Sequence, residues 1–175
     1  MKRGTRKLMS FLLLLCFGLL ASRVSAHLMV AQSGTVYIVG DSAFTVLSLP
    51  VSAFDQFDTD GDGKMSLAEY SEHRLLLHSQ VYNQVKLYVD DRPQSLQGIM
   101  LSPVSEYHHA AKSATQIIVM GRFILEKVTA QLQLFVGLYG HSASSQHLKI
   151  TVSREGEKNT FELSESHSKR SLFNL

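Results

Sequence analysis

Hydrophobic and polar positions alternate in short stretches along most of the chain, with turn-forming residues between them. Thr35–Val39 and Ala43–Leu49 are two such stretches, separated by Gly40-Asp41, and together they predict a β-hairpin. Pro50 ends the second and opens a short helix through Val51–Phe57. From Leu67 to about Tyr82 the period lengthens. Leu67, Tyr70, Leu75, Leu77 and Val81 recur at roughly helical spacing, and Gly and Pro are absent, so a longer helix is expected. Short apolar or alternating runs return at Val85–Val89, Leu96–Leu101, Ala114–Leu125, Ala130–Leu138, His147–Val152 and Thr160–Leu163. Asp90-Asp91-Arg92-Pro93 and Arg154-Glu155-Gly156-Glu157 supply turns between them. Short strands at this spacing, interrupted once by helix, predict a mainly β fold: an antiparallel β-sandwich, Ig-like, with an inserted helix–loop–helix unit. The sandwich is expected over 27–49 and 84–166 and the insertion over 50–83. Residues 167–175 are expected to be a loose polar tail.

The first 26 residues follow a different logic. Lys2, Arg3, Arg6 and Lys7 precede an apolar run from Leu8 to Leu20, and Val24-Ser25-Ala26 ends in small residues. This is the three-part layout of a secretory signal peptide, with cleavage expected after Ala26. The run is shorter than the ~20 residues that span a bilayer. Leu15, not a small residue, precedes Cys16, which argues against a lipoprotein.

Cleavage reverses the sign of the charge. The segment takes five of the 17 basic residues and none of the 15 acidic ones, leaving 12 against 15 and a net charge of −3. A basic footprint for nucleic acid is therefore not expected. The remaining chain has no cysteine and no Asn-x-Ser/Thr sequon, so a bacterial periplasmic or extracellular location is expected. No later apolar run reaches membrane-spanning length, so no membrane span is expected in the mature chain.

Candidate chemistry concentrates in residues 58–69, Asp-Thr-Asp-Gly-Asp-Gly-Lys-Met-Ser-Leu-Ala-Glu. Carboxylates stand at positions one, three, five and twelve, and Gly63 at six. Calcium takes six to eight oxygen ligands at about 2.3–2.6 Å in a forgiving geometry. Asp58, Asp60 and Asp62 can each turn an oxygen inward as the chain wraps, and Gly63 permits the sharp turn that follows. Lys64 offers its backbone carbonyl, Ser66 a contact through water, and Glu69 closes the shell with both oxygens. Ser66 and Glu69 also have capping-box spacing. Phe54 and Phe57 before the loop, and Leu67 and Tyr70 after it, provide apolar flanks. The loop and its flanks resemble an EF-hand.

That resemblance implies a Ca²⁺ ion held by Asp58, Asp60, Asp62, Lys64, Ser66 and Glu69. EF-hands usually work in pairs, and only one is present, without the partner that normally braces it. A site of modest affinity, about 10⁻⁴–10⁻³ M, is expected, with calcium acting as a structural clip or modulating an unidentified protein partner. Asp58-Thr59-Asp60-Gly61 also spells the Asp-x-Asp-Gly of haloacid-dehalogenase-type phosphatases. Asp55-Gln56 interrupts the hydrophobic strand which that chemistry needs, and no βα alternation follows. A nucleophile elbow, a zinc-protease helix and a phosphate loop are all missing from the sequence, so catalysis is not expected.

One alternative uses another metal. Cleavage after Ala26 makes His27 the first residue, and its α-amino group and imidazole could chelate copper or nickel, with Met29, His108, His109, His141 and His147 as further donors. A second alternative is an interaction module whose calcium loop is vestigial.

Overall fold

The computed structural model describes residues 31–105, 113–125 and 131–173. The expected signal peptide, His27, Met29, His108 and His109 lie outside the described residues.

The fold is mainly β, with several sheets. Strands β1 (Ser33–Val39) and β2 (Ser42–Pro50) form the expected hairpin, in register from Ser33↔Ser48 to Val39↔Ser42. A segment of 3-10 helix (Val51–Phe57), strand β3 (Met65–Ser66) and helix α1 (Leu67–Gln84) follow. The remaining strands are β4 (Val85–Val89), β5 (Arg92–Ser95), β6 (Gln97–Val104), β7 (Ser113–Ala114), β8 (Gln116–Ile124), β9 (Leu132–Val136), β10 (His147–Arg154), β11 (Glu157–Ser164) and β12 (Lys169–Ser171). They assemble as a six-stranded sheet, β11-β10-β1-β2-β8-β6, a four-stranded sheet, β12-β9-β4-β5, and a two-stranded pair, β3-β7.

Turn chemistry explains two hairpins. Asp90 and Asp91 between β4 and β5, and Glu155 and Gly156 between β10 and β11, all take positive φ. Two-residue turns of this hand match the twist of the strands they join. Pro93 lies in β5, an edge strand, where a missing N–H leaves no gap in the ladder.

Burial alternates along β1, β4, β9 and β10, so each strand turns one face inward. The inward residues belong to one apolar cluster fed by both larger sheets, including Ile38, Leu47, Val119, Phe123 and Ile150 from one and Leu87 and Leu134 from the other. Helix α1 adds Leu77 and Val81, one turn apart. Its apolar stripe is narrower than expected from sequence: Leu67 and Leu75 are exposed, at 69% and 79%.

Two expectations are corrected. The six-stranded sheet is not purely antiparallel, because β1 pairs parallel with β10, from Ser33↔Lys149 to Ile38↔Arg154. These strands lie far apart in the chain, so no tight turn forces them antiparallel, and alternation looks the same in either direction. Nor are residues 167–173, the described part of the expected loose tail 167–175, uniformly loose. Strand β12 pairs with β9, the Leu172 side chain is fully buried, and the Leu172 N–H donates to the Leu132 carbonyl at 2.9 Å. Cations hold this end down: Lys169 Nζ sits 3.7 Å from the Tyr88 ring centre, and Arg154 lies 4.5 Å over Phe173.

Among the described residues, no helix is long and apolar enough to cross a membrane.

Candidate metal site

The segment entering the loop differs from the helix expected there. It is 3-10 helix broken at Phe54 (φ −130°, ψ 28°), so no α-helix of several turns leads into the loop. Val51, Phe54 and Phe57 are buried, and these anchors hold the segment against the core. Phe57 also meets the His73 ring on α1 at 5.3 Å, and Gln56 Nε2 donates to Gln80 Oε1 at 3.0 Å. The elements on either side of the loop are thus joined directly.

The loop is ordered by its own carboxylates. Asp58 Oδ1 accepts from the Gly61 N–H at 2.8 Å and the Asp62 N–H at 3.2 Å, and its Oδ2 accepts from the Gly63 N–H at 2.8 Å. Asp60 Oδ1 accepts from Asp62 N–H, and Asp62 Oδ1 accepts from Lys64 N–H. Gly61 and Gly63 take φ of +72° and +74°. An added Cβ at either would meet nothing within 4 Å, so the need for glycine is conformational and not steric. Gly63→Ala is expected to destabilise the protein by about 1–2 kcal/mol, the cost of left-handed backbone for an L-residue, read by urea denaturation.

Glu69 closes the loop from α1. Ser66 is the N-cap: its hydroxyl accepts from the Glu69 N–H, and its own N–H donates to Glu69 Oε2 at 2.8 Å, the reciprocal pair of a capping box. Glu69 Oε1 accepts from both the N–H and the hydroxyl of Thr59, at 2.7 and 2.8 Å. Position two of the loop carries no signature in sequence, and Thr59 was not among the expected site residues.

These contacts bring Asp58, Asp60 and Glu69 together, with one carboxylate oxygen from each within 4.8 Å of the others. Asp62 does not join that group; it is exposed and engages Lys64. Lys64 and Ser66 show backbone donation to the loop and helix capping, respectively. Three oxygens at this spacing are the donor type a hard cation takes.

Charge in the site is unevenly held. The Asp62 N–H pulls the Asp60 carboxyl pKa down, but desolvation, the Asp62 and Glu69 charges and the Asp58 contact outweigh it, and the net shift is upward. Glu69 is lowered from 4.5 to about 2, first by the Ser66 N–H and hydroxyl and then by the Thr59 hydroxyl and N–H. A depressed carboxyl contributes stability above its unfolded value, and that contribution disappears as pH falls through the folded one. In metal-free buffer, Glu69→Gln is therefore expected to flatten the decline of Tm between pH 4.5 and about 2. Parallel Tm curves for the two proteins would remove Glu69 as a source of that decline.

The loop also has a brace. Met65, fully buried, pairs with Ala114, and Ser66 pairs with Ser113. The two-residue strand β7, from the following part of the chain, is thus the pairing partner of the loop's end. Close by, His141 Nε2 lies 2.9 Å from Asp55 Oδ2 at the surface.

Comparison with protein-family models and with curated proteins finds no match for this chain.

Proposed function

We propose that the mature chain is a non-catalytic, extracytoplasmic calcium-binding protein with a single EF-hand-like loop. The observation that carries this reading is the coincidence of the 58–69 spacing with the convergence of Asp58, Asp60 and Glu69. Calcium drawn to this cluster would offset the Asp62 and Glu69 charges that, after desolvation, help raise the Asp60 pKa. Asp62, the Lys64 carbonyl and Ser66 complete the proposed ligand set, with Asp62 turning inward when the ion binds. We read the six- and four-stranded sheets as the layers of a β-sandwich and residues 50–83 as its insertion. Residues 1–26 serve as the signal peptide for export to the periplasm or beyond.

Calcium here acts as a clip. It ties the 3-10 segment, α1 and the β3–β7 pair to one point, and an ordered insertion can then present a surface to a protein partner. Calorimetric titration of Ca²⁺ into metal-stripped 27–175, beside its Asp58→Ala variant, tests the site. One bound ion that the variant loses supports it. Absence of binding at millimolar calcium overturns it and directs the titration to copper and His27.

A further inference from the structure

We propose that the outward face of the six-stranded sheet holds a second binding site, for a fatty-acid-like carboxylate, in a pocket formed across β2, β8 and β6. The cavity measures about 280 Å³, close to the lower end of small-ligand pockets, about 300–1,000 Å³. Its walls are Phe44, Val46, Met100 and Met120, and Arg122 is its one charged lining residue.

Strand register explains why these side chains meet. Phe44 pairs with Arg122, Val46 with Met120, and Met120 with Met100, so two cross-strand rows supply the apolar walls and the cation, and Thr45, Gly98 and Gly121 complete the lining. The register of β6 against β8 shifts between Gln97 and Met100, and Gly98 within that shift takes φ +60° with open space where a Cβ would stand. An irregularity of this kind bends an edge strand and re-aims its side chains. Here it leaves a hollow instead of a flat sheet.

Two observations specify the occupant. Phe44 is 47% exposed and Met100 59%, and they are the pocket's part of an apolar surface that Tyr37, Val39 and Ile124 continue across the same face. Methionines are suited to flexible apolar chains because their unbranched side chains adapt to irregular shapes. The charge is one-sided. The Arg122 guanidinium makes no hydrogen bond or ion pair with any described residue. Its row continues through Phe44, Tyr37 and Ser153 to Lys158, and the next through Val46, Thr35 and Thr151 to Thr160. Neither row holds an acid. An apolar chain lying along the methionines with its carboxylate on Arg122 satisfies both the exposed surface and the unpaired cation.

The test uses dodecanoate, dodecanol and dodecyltrimethylammonium below their micellar concentrations, titrated in calcium-free buffer and followed by calorimetry and amide chemical shifts. The expected result is one dodecanoate per chain, with shift changes at β2, β6 and β8. The alcohol and the cation should bind at least about 10-fold more weakly, and Arg122→Gln should weaken dodecanoate by about 10-fold or more while leaving dodecanol unchanged. Phe44→Ser, at a surface position, should weaken all three. Equal binding of the three probes, an unaffected Arg122→Gln variant, or shifts confined to another surface overturns the proposal. So does a concentration-dependent dimer abolished by Phe44→Ser, which would assign the face to a second copy of the chain. The outcome is independent of whether the acidic loop binds calcium.

Discussion

Glu69→Gln is expected to weaken calcium binding by about 100-fold or more, the largest effect of any single change in the loop. Glutamine can present one carbonyl oxygen where the carboxylate presents two charged ones, so both ligand number and site charge fall. A hundredfold loss corresponds to about 2.7 kcal/mol. The difficulty is that Glu69 has a second duty. Its oxygens also receive the Ser66 N–H and both Thr59 donors, so the substitution disturbs the start of α1 as well as the proposed ligand set. Asp60→Asn separates the two duties. Asp60 takes no part in the cap; it receives a hydrogen bond only within the loop, from Asp62. Asp60→Asn should therefore reduce affinity while leaving the calcium-free Tm close to the parent's, whereas Glu69→Gln should lower both. If Asp60→Asn leaves affinity unchanged while Glu69→Gln reduces it, Glu69 would be acting through the fold, and the ligand assignment would fail.

The second large effect is expected far from the loop. Leu172→Ala should destabilise the protein by about 2–5 kcal/mol, the range for truncating a fully buried leucine. For a chain of this size that corresponds to a fall in Tm of about 2–4 °C for each kcal/mol. Hydrogen exchange gives an independent reading, because the Leu172 N–H is bonded to Leu132 and should be protected. A tail that only rests on the surface would leave Tm unchanged and exchange its amide as fast as a free peptide. The contrast matters because the segment is largely polar in composition, and Leu172 is its one fully buried side chain among the described residues.

Leu172 also illustrates what a sequence conceals. Patterns are legible where they repeat: β1, β2, β4, β10 and β11 carry enough alternating positions to be seen, and Asp90-Asp91 and Glu155-Gly156 mark their turns. The acidic loop is legible for another reason, since its carboxylates and Gly63 recur at fixed spacing within twelve consecutive residues. Strands β3, β7 and β12 are two or three residues long, too short for any period, and exist because a neighbouring edge accepts them. Thr59 escaped notice because its contribution depends on Glu69 reaching back across the loop. The 3-10 geometry of Val51–Phe57, with its break at the buried Phe54, is not distinguished from α-helix by the spacing of its apolar residues. The hollow beside Arg122 arises from a register shift that only paired strands can have.

The parallel seam between β1 and β10 has a kinetic consequence. A hairpin such as β1–β2 closes over a short loop within microseconds, but β1 gains its other neighbour only when a distant part of the chain returns. Long-range closure of this kind slows folding. Until it happens, the outer edge of β1 carries unpaired amides and carbonyls that another nascent molecule can adopt. The interval before β10 arrives therefore leaves the chain open to aggregation along this edge, and a holdase covering β1 would protect it during that wait.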